Sequence, residues 1–121
     1  MDFDNSKPIY LQIAEVFYEN ILEKKWKEEE RIPSVREIAM LVEVNPNTAI
    51  RAFNHLQDLG VIYNKRGIGY FVNPEAQTAI LDSKRREFFD NVLPEFLRSA
   101  ELLGISTHEI KSHLDNVKNG S

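Results

Sequence analysis

Two helix-start signals that lie only eleven residues apart constrain the fold of this chain more than any other feature. Ser34 and Glu37 form the Ser-x-x-Glu pattern of a capping box, in which each side chain accepts a hydrogen bond from the other residue's backbone N–H. Asn45 is a strong helix cap and Pro46 suits a first helical position. The helix that Ser34 opens is therefore short and ends by Glu43. Two helices joined in this way are typical of a helix-turn-helix motif.

The helix that begins at Pro46 is amphipathic and ends near Gly60, a residue suited to a left-handed cap. Successive side chains turn by about 100°, which sorts them onto two faces. The apolar face carries Ala49, Ala52, Phe53 and Leu56, with Ile50 at its edge. The opposite face carries Asn47, Arg51, Asn54 and Asp58. Arg51 is therefore expected to point away from the core.

A further helix is predicted from Pro8 to about Lys25, because apolar residues recur there at helical spacing. They are Ile9, Ile13, Val16, Phe17 and Ile21. Trp26 is expected to cover the core where this helix ends. In the short helix after Ser34, the residues expected to face inward are Ile38, Ala39, Leu41 and Val42.

After Gly60 the pattern changes from helical to β-type. Residues 61–63 and 70–72 are rich in β-branched and aromatic side chains, whereas residues 64–69 between them are basic and contain two glycines. This pattern predicts a β-hairpin. Three helices followed by a hairpin are the plan of a winged helix-turn-helix domain. We therefore predict a mainly α fold with a small β-hairpin, in which that domain occupies residues 1–73.

Residues 74–121 are predicted to form only helix. Pro94 removes one backbone hydrogen bond and clashes with the preceding turn, which predicts a kink or break at residues 91–93. Ser106 and Glu109 repeat the capping-box pattern and predict the start of a last helix.

The apolar surface of this tail exceeds what 48 residues can bury by themselves. We expect most of it to be buried against a second copy of the chain. Residues 74–121 are therefore predicted to be a short helical dimerisation tail. The residues predicted to form the dimer contact are Phe88, Phe89, Val92, Leu93, Phe96 and Leu97.

Composition excludes several classes of function. The 121 residues contain no cysteine, which excludes a disulfide framework, a thiolate zinc site and a cysteine nucleophile. No apolar run approaches the roughly 20 residues of a membrane span, and we expect a soluble, cytoplasmic protein. His108 and His113 lie about 140° apart on a helix, so they do not share a face as a metal-binding pair would. We predict no metal and no cofactor.

The formal net charge of −4 argues against a partner made of phosphates, but the charge is unevenly distributed. Residues 1–30 hold 4 basic and 8 acidic groups, and residues 74–121 hold 6 and 8. Residues 31–73 hold 5 basic and 3 acidic groups. The region of the predicted helix-turn-helix and hairpin is thus the basic part of the chain.

Five sequence motifs resemble the N-terminal domain of GntR-type bacterial transcription regulators. They occur in the family's order and spacing, at residues 8–13, 32–39, 44–48, 60–62 and 67–72. The short tail and the Asn-Pro-Asn-Thr sequence of residues 45–48 resemble the YtrA-type subgroup. One departure is that residues 25–30 contain no glycine, where the family usually has glycines.

The helix-turn-helix holds four candidate DNA contacts. Arg36 opposes the dipole of its own helix but is well placed to reach a phosphate or a guanine edge, and the family's matching arginine contacts DNA. Asn47 and Thr48 lie at the end of the third helix that enters the major groove in this motif, where Asn can pair with adenine and Thr with a phosphate or a thymine methyl. Arg51, one turn on, is the best single candidate from this helix.

The hairpin tip holds three more candidates, Lys65, Arg66 and Gly67, because the tip resembles the family's groove-contacting wing. Gly67 would let the backbone approach the minor groove. Ser34 and Asn45 are expected to be helix caps next to the DNA. Simpler roles stay open for the polar candidates as a group: a solvated surface for the cations, and helix capping for the asparagine and threonine.

The resemblance implies a homodimeric repressor that binds double-stranded DNA at a palindromic operator and is released by an effector. A small-molecule effector would bind at the dimer interface, because the tail is too short to hold a pocket within one chain. One alternative is a winged-helix module for protein–protein contact without DNA binding. A second alternative, a small enzyme or metal protein, would depend on His108 or His113.

Overall fold

The structure is a computed structural model that describes residues 2–120. It divides into two compact units, and the boundary along the chain lies between Ser83 and Lys84. The elements in chain order are α1 (Ile9–Leu22), α2 (Val35–Leu41), α3 (Pro46–Asp58), β1 (Ile62–Lys65), β2 (Gly69–Val72), α4 (Ala76–Glu87), a π-helical turn (Phe88–Val92), α5 (Leu93–Leu102) and α6 (Thr107–Gly120). The prediction of a mainly α fold with one small β-hairpin is confirmed.

Helix α1 begins one residue later than predicted, because Pro8 is its cap and not its first helical residue. The Pro8 carbonyl accepts hydrogen bonds from the N–H groups of Leu11 and Gln12 at 3.1 and 3.3 Å. The Gln12 side chain is buried and fixes the segment in front of the helix. Its Nε2 donates to the carbonyls of Asp4 and Lys7 at 2.8 and 2.9 Å.

Helix α2 begins at the predicted capping box. The Ser34 Oγ accepts a hydrogen bond from the Glu37 N–H, and the Glu37 Oε1 accepts one from the Ser34 N–H, both at 3.1 Å. The buried residues of this helix end are Ile38, Ala39 and Val42. Leu41 is 70% exposed, so the prediction that it faces the core is wrong. Helical rotation places Leu41 about 100° away from the centre of the stripe that the three buried residues form.

Three helices of the first unit end in a left-handed residue that lets the chain turn back on the last turn. These residues are Lys24, Glu43 and Gly60, with φ angles of 62°, 58° and 79°. In each case the next N–H bonds a carbonyl five residues back, as when Val44 donates to Ala39 at 2.9 Å. Glu29 also has a positive φ, of 62°. The connector without glycine, residues 25–30, therefore holds one non-glycine residue in a left-handed conformation that costs it energy.

The hairpin pairs β1 and β2 in antiparallel register, from Ile62 opposite Val72 to Lys65 opposite Gly69. The strands extend further toward the tip than predicted, and only residues 66–68 remain as a turn. The Ile68 N–H donates to the Lys65 carbonyl at 2.9 Å, which closes the turn. This turn needs a positive φ at its third residue, and Gly67 supplies it with a φ of 79°.

The core lies in the first unit, where α1, α2 and the hairpin pack against α3. Its fully buried large side chains are Phe17, Phe53, Ile13, Ile38, Leu56, Ile62, Ile80, Val61 and Val72. Trp26 packs edge-on against Phe17 with ring centroids 5.0 Å apart, as a cover for this core. Because Ala76 and Ile80 are buried as well, the first unit includes the start of α4. The functional division after residue 73 stays a prediction.

In the second unit, Pro94 is the second residue after the π-helical turn Phe88–Val92. The irregularity predicted at residues 91–93 is therefore present as a wider helical turn, and the chain does not break there. Proline cannot bond the carbonyl four residues back, and a turn with an extra residue accommodates that loss. Helix α6 begins at its predicted box, where the Ser106 Oγ accepts from the Glu109 N–H at 3.1 Å. Within residues 2–120, no helix combines the length and the apolar character needed to cross a membrane.

Candidate nucleic-acid interface

The N-terminal end of α3 presents polar groups to solvent. The Asn45 Oδ1 accepts a hydrogen bond from the Asn47 N–H at 2.8 Å, which confirms Asn45 as the cap. The Asn47 side chain is exposed and that of Thr48 is half-buried. The unpaired N–H groups and the dipole of a 13-residue helix make this end attractive to anions.

Arg51 points outward from α3, as predicted, and lies against α1. Its guanidinium carbon is 4.5 Å from the centroid of the Tyr10 ring, in the geometry of a cation–π contact. The same ring meets the edge of the His55 ring at a centroid distance of 5.7 Å. Tyr10 therefore restricts where the Arg51 guanidinium can lie. Sequence reasoning missed this role, because the side chains of separate helices meet only in the fold.

Arg36 lies on the exposed side of the first turn of α2. The capping box fixes the backbone at this point and also acts on Glu37. The hydrogen bond from the Ser34 backbone N–H to Glu37 holds the pKa of that carboxyl below its usual value, with smaller contributions from the Ser34 side chain and from the positive charge of Arg31. Glu37 therefore stays ionised beside Arg36 and tempers its positive field.

The hairpin tip presents Lys65, Arg66 and Gly67, which are all exposed. The Lys65 ammonium nitrogen lies 4.6 Å from the centroid of the Phe71 ring, so an aromatic face restricts this cation too. The Arg66 side chain projects from the tight turn itself. Two cations and a glycine at a turn form a narrow basic projection.

A further cation that sequence reasoning did not single out lies beside this hairpin. Arg31 is exposed and pairs with Phe71 in an antiparallel bridge. The Ile32 N–H donates to the Tyr70 carbonyl at 2.9 Å, and the Val72 N–H donates to the Glu30 carbonyl at 3.0 Å. The segment in front of α2 thus runs along β2 and is joined to it by an isolated bridge. In the sequence, Arg31 only follows three acidic residues, and that pattern does not predict pairing with a strand.

The candidate DNA contacts and caps all lie in the first unit, on α2, α3 and the hairpin. They are Ser34, Arg36, Asn45, Asn47, Thr48, Arg51, Lys65, Arg66 and Gly67. Within residues 2–120, none of the four cations among them forms an ion pair. Their charge is therefore available to a partner. The structure contains no DNA, and their contacts with it stay a prediction.

The predicted dimer contact lies in the second unit. Five of its six residues are between 44% and 53% exposed and the sixth, Leu93, is half-buried. The exposed five are Phe88, Phe89, Val92, Phe96 and Leu97. The two neighbouring phenylalanines pack edge-to-face with centroids 5.3 Å apart.

In the part of the chain that the structure describes, no three His, Asp or Glu side chains cluster in a way that could hold a metal ion.

Comparison with known proteins agrees with this arrangement. Residues 9–72 match the bacterial regulatory proteins of the gntR family. The HTH-type transcriptional repressor YtrA of Bacillus subtilis is 32% identical over 117 residues, which cover 97% of this chain and 89% of YtrA. A GntR-family transcriptional regulator from Bacteroides thetaiotaomicron has a similar structure, with a TM-score of 0.80 and 40% identity over 93% of this chain and 99% of that one.

Part of the chain also resembles a protein solved in a DNA complex. The DNA-binding domain of AraR, determined with its operator ORX1, has a TM-score of 0.55 and 26% identity over 59% of this chain and 92% of that one. The family match covers more than half of the chain, and YtrA matches nearly its full length. The chain therefore belongs to the GntR family of bacterial regulatory proteins and is a helix-turn-helix transcription regulator with YtrA among its relatives.

Proposed function

We propose that this chain is a homodimeric repressor that binds a palindromic operator in double-stranded DNA and leaves it when an effector binds. The observation that carries the proposal is the set of unpaired, exposed cations on α2, α3 and the hairpin of a single compact unit. The repressor function is supported by the similarity to YtrA. DNA binding is supported by the likeness to the AraR domain, which was solved on its operator. A cytoplasmic location follows from this proposed role.

Base recognition would depend on the exposed start of α3. In a helix-turn-helix motif the second of the two helices, here α3, lies in the major groove, and its first residues face base edges. Asn47 would pair with adenine, Thr48 would contact a phosphate or a thymine methyl, and Arg51 would bind a guanine edge or a phosphate. Because the Tyr10 ring restricts the Arg51 guanidinium at 4.5 Å, less conformational entropy is lost when that contact forms.

Phosphate contacts would set the register of the protein on the duplex. Arg36 would contribute one from the first turn of α2, and Lys65 and Arg66 would extend along the hairpin to the neighbouring groove. Gly67 would allow the backbone to approach the minor groove there. The whole chain is acidic, at −4, so its affinity for random DNA is modest and two linked half-sites are needed.

The dimer is supported by the apolar side chains of the second unit. Exposed apolar surface on this scale marks a contact with another protein surface, and a second copy of the chain is the partner that symmetry favours. Two copies would place their recognition helices in half-sites roughly 34–36 Å apart. A small-molecule effector would act at this interface, where it could change the spacing of the two helices.

Selection from a random duplex pool tests the DNA-binding part of the proposal. Duplexes retained by the purified full-length chain at about 0.15 M salt are sequenced, and we expect an inverted repeat with half-sites about one helical turn apart. Arg51→Ala should weaken binding to the selected duplex by about tenfold or more, since a good base contact contributes about 1–3 kcal/mol. Arg36→Ala should weaken it by about fivefold, the effect expected from the loss of one phosphate contact at about 0.15 M salt. Sedimentation must show that both variants keep the mass of the wild type.

The protein–protein alternative predicts different results. A winged-helix module without DNA binding would select no common sequence, and the two arginine variants would leave any weak retention of DNA unchanged. That result, with correctly folded variants, would refute the proposed contacts.

A further inference from the structure

Arg31 is held at a fixed place between the hairpin and the start of α2. Its backbone pairs with Phe71, and the neighbouring residue Ile32 is bonded to the Tyr70 carbonyl at 2.9 Å. Ile32 itself is only 3% exposed and anchors the segment in the core. Arg31 is therefore part of the rigid frame, while its side chain remains exposed.

The Arg31 side chain lies directly against Gly69, and a side chain at position 69 would force the guanidinium to shift. A Cβ atom added to Gly69 would lie 3.0 Å from the Arg31 Nε and 3.5 Å from its Nη2. Gly69 also has a φ of +144°, a conformation that residues with side chains rarely adopt. The fold thus brings a guanidinium beside Gly69, the first residue of β2, next to the turn of the hairpin.

The charge of Arg31 is not neutralised by a neighbour. Within residues 2–120 the guanidinium forms no ion pair, although its field reaches Glu37 on the first turn of α2. Arg31 thus lies between α2, which carries Arg36, and the hairpin, which carries Lys65. A planar guanidinium held in such a position matches the oxygens of a phosphate, which it can bind through two parallel hydrogen bonds.

We propose that Arg31 binds a phosphate of the operator backbone between the groups contacted by α2 and by the hairpin, and that Gly69 is the positioning residue that makes this possible. The inference rests on the proposed DNA binding and adds to it a contact outside the recognition helix and the hairpin tip. Arg31 contacts the backbone and not a base, because it is anchored on the strand edge. Its contribution is therefore independent of sequence.

The salt dependence of binding separates a phosphate contact from a merely structural role. Each phosphate contact steepens the dependence of log K on log salt by about 0.9, so its loss weakens binding about fivefold at about 0.15 M salt. Arg31→Gln should show this flatter slope and weaker affinity on the selected duplex, and equally on an unrelated duplex. Arg31→Lys should keep most of the slope. Lys25→Gln removes the same charge from an exposed residue that pairs with Glu23 at 3.2 Å, and should leave both quantities unchanged.

A double-mutant cycle tests the part played by Gly69. Gly69→Ala should weaken binding more in the wild-type background than in the Arg31→Gln background, because the part of its effect that displaces the guanidinium needs Arg31. The strain of its φ of +144° is present in both backgrounds and cancels in the cycle. Gly67→Ala serves as the comparison, because a Cβ there meets nothing within 4 Å and a coupling to Arg31 is not expected. Thermal unfolding of each variant shows whether the first unit is still folded in the binding assay.

The outcomes distinguish the two proposals. A wild-type chain that binds no duplex refutes the proposed DNA binding and the Arg31 contact together. If the wild type binds but Arg31→Gln keeps its affinity and slope, only the Arg31 contact is refuted. An Arg31→Gln variant that binds more weakly with an unchanged slope also refutes it, since Arg31 would then support the hairpin without meeting a phosphate.

Discussion

The two units of this chain are built from similar helices but use their apolar residues in opposite ways. The first unit contains all nine of the fully buried large side chains, whereas Ala100 is the one buried residue among residues 84–120. Ten large apolar side chains of the second unit are more than a third exposed. They are Phe88, Phe89, Val92, Phe96, Leu97, Leu102, Leu103, Ile105, Leu114 and Val117. Amphipathic helices thus stabilise the first unit from within, while the second has its apolar faces open to a partner.

The largest expected effect tests whether the first unit is stable through its own core. Phe53 is fully buried and packs edge-on against Phe17 and Tyr70, with centroids 5.2 and 4.7 Å away. Phe53→Ala should lower the free energy of unfolding by about 3–5 kcal/mol, because it removes a buried ring and leaves a cavity. Trp26, the only tryptophan of the chain, packs on Phe17, so its fluorescence during urea unfolding reports this unit alone.

Phe96→Ala is the matched control in the second unit, since Phe96 is 48% exposed. At a protein concentration where the chain is monomeric, it should shift the Trp26 transition by less than about 1 kcal/mol. Similar losses from the two substitutions would show that the comparison between the units is wrong.

The second prediction concerns the apolar face that the second unit leaves open. Phe89→Asp and Phe96→Asp together should raise the dissociation constant of the proposed dimer by about a hundredfold or more, because charged groups would be buried at its centre. Sedimentation over a range of protein concentrations measures this change. Met40→Asp is a suitable control, since Met40 is 74% exposed on the first unit and lies outside the predicted dimer contact. A double variant with the mass of the wild type at every concentration would refute the assigned contact.

Sequence reasoning succeeded where a local pattern decides the structure. The capping boxes at Ser34 and Ser106 and the Asn45 cap all formed as predicted, because each depends on residues two or three positions apart. The stripe of α3 was also predicted correctly, and all four of its residues are buried.

It failed where residues distant in sequence meet. The contact of Tyr10 with Arg51 and the pairing of Arg31 with Phe71 both join separate elements. Neither spacing nor composition contains that information. The misplaced Leu41 has a different cause, because a helix of seven residues gives too few turns to define its buried face from periodicity alone.

The third prediction concerns helix ends, which both units build with the same left-handed cap. The second unit has glycine there, at Gly104, whereas the first has Lys24 and Glu43 at two of its three ends. Glu43→Gly should therefore stabilise the first unit by about 1 kcal/mol, since glycine adopts a positive φ without a steric cost. Gly60→Ala, at the equivalent end of α3, should destabilise it by a similar amount. Urea unfolding followed by Trp26 fluorescence measures both, and shifts of equal sign would contradict the explanation.

The smallest expected effect is a pH dependence that the capping box confers on the first unit. Because hydrogen bonds from Ser34 hold the pKa of Glu37 below its usual value of 4.5 in the folded chain, the unfolded chain binds the proton more readily. This stabilisation is therefore fully present above about pH 5 and is lost as the pH falls through the lower, folded pKa. Asp4, whose pKa is lowered mainly by the Ser6 hydroxyl, adds to the same loss.

Glu37→Gln should flatten the fall in stability between about pH 5 and pH 3, and Asp4→Asn should flatten it separately. Thermal unfolding followed by Trp26 fluorescence measures both effects. An acid response that neither substitution changes would place the sensitive carboxyl elsewhere.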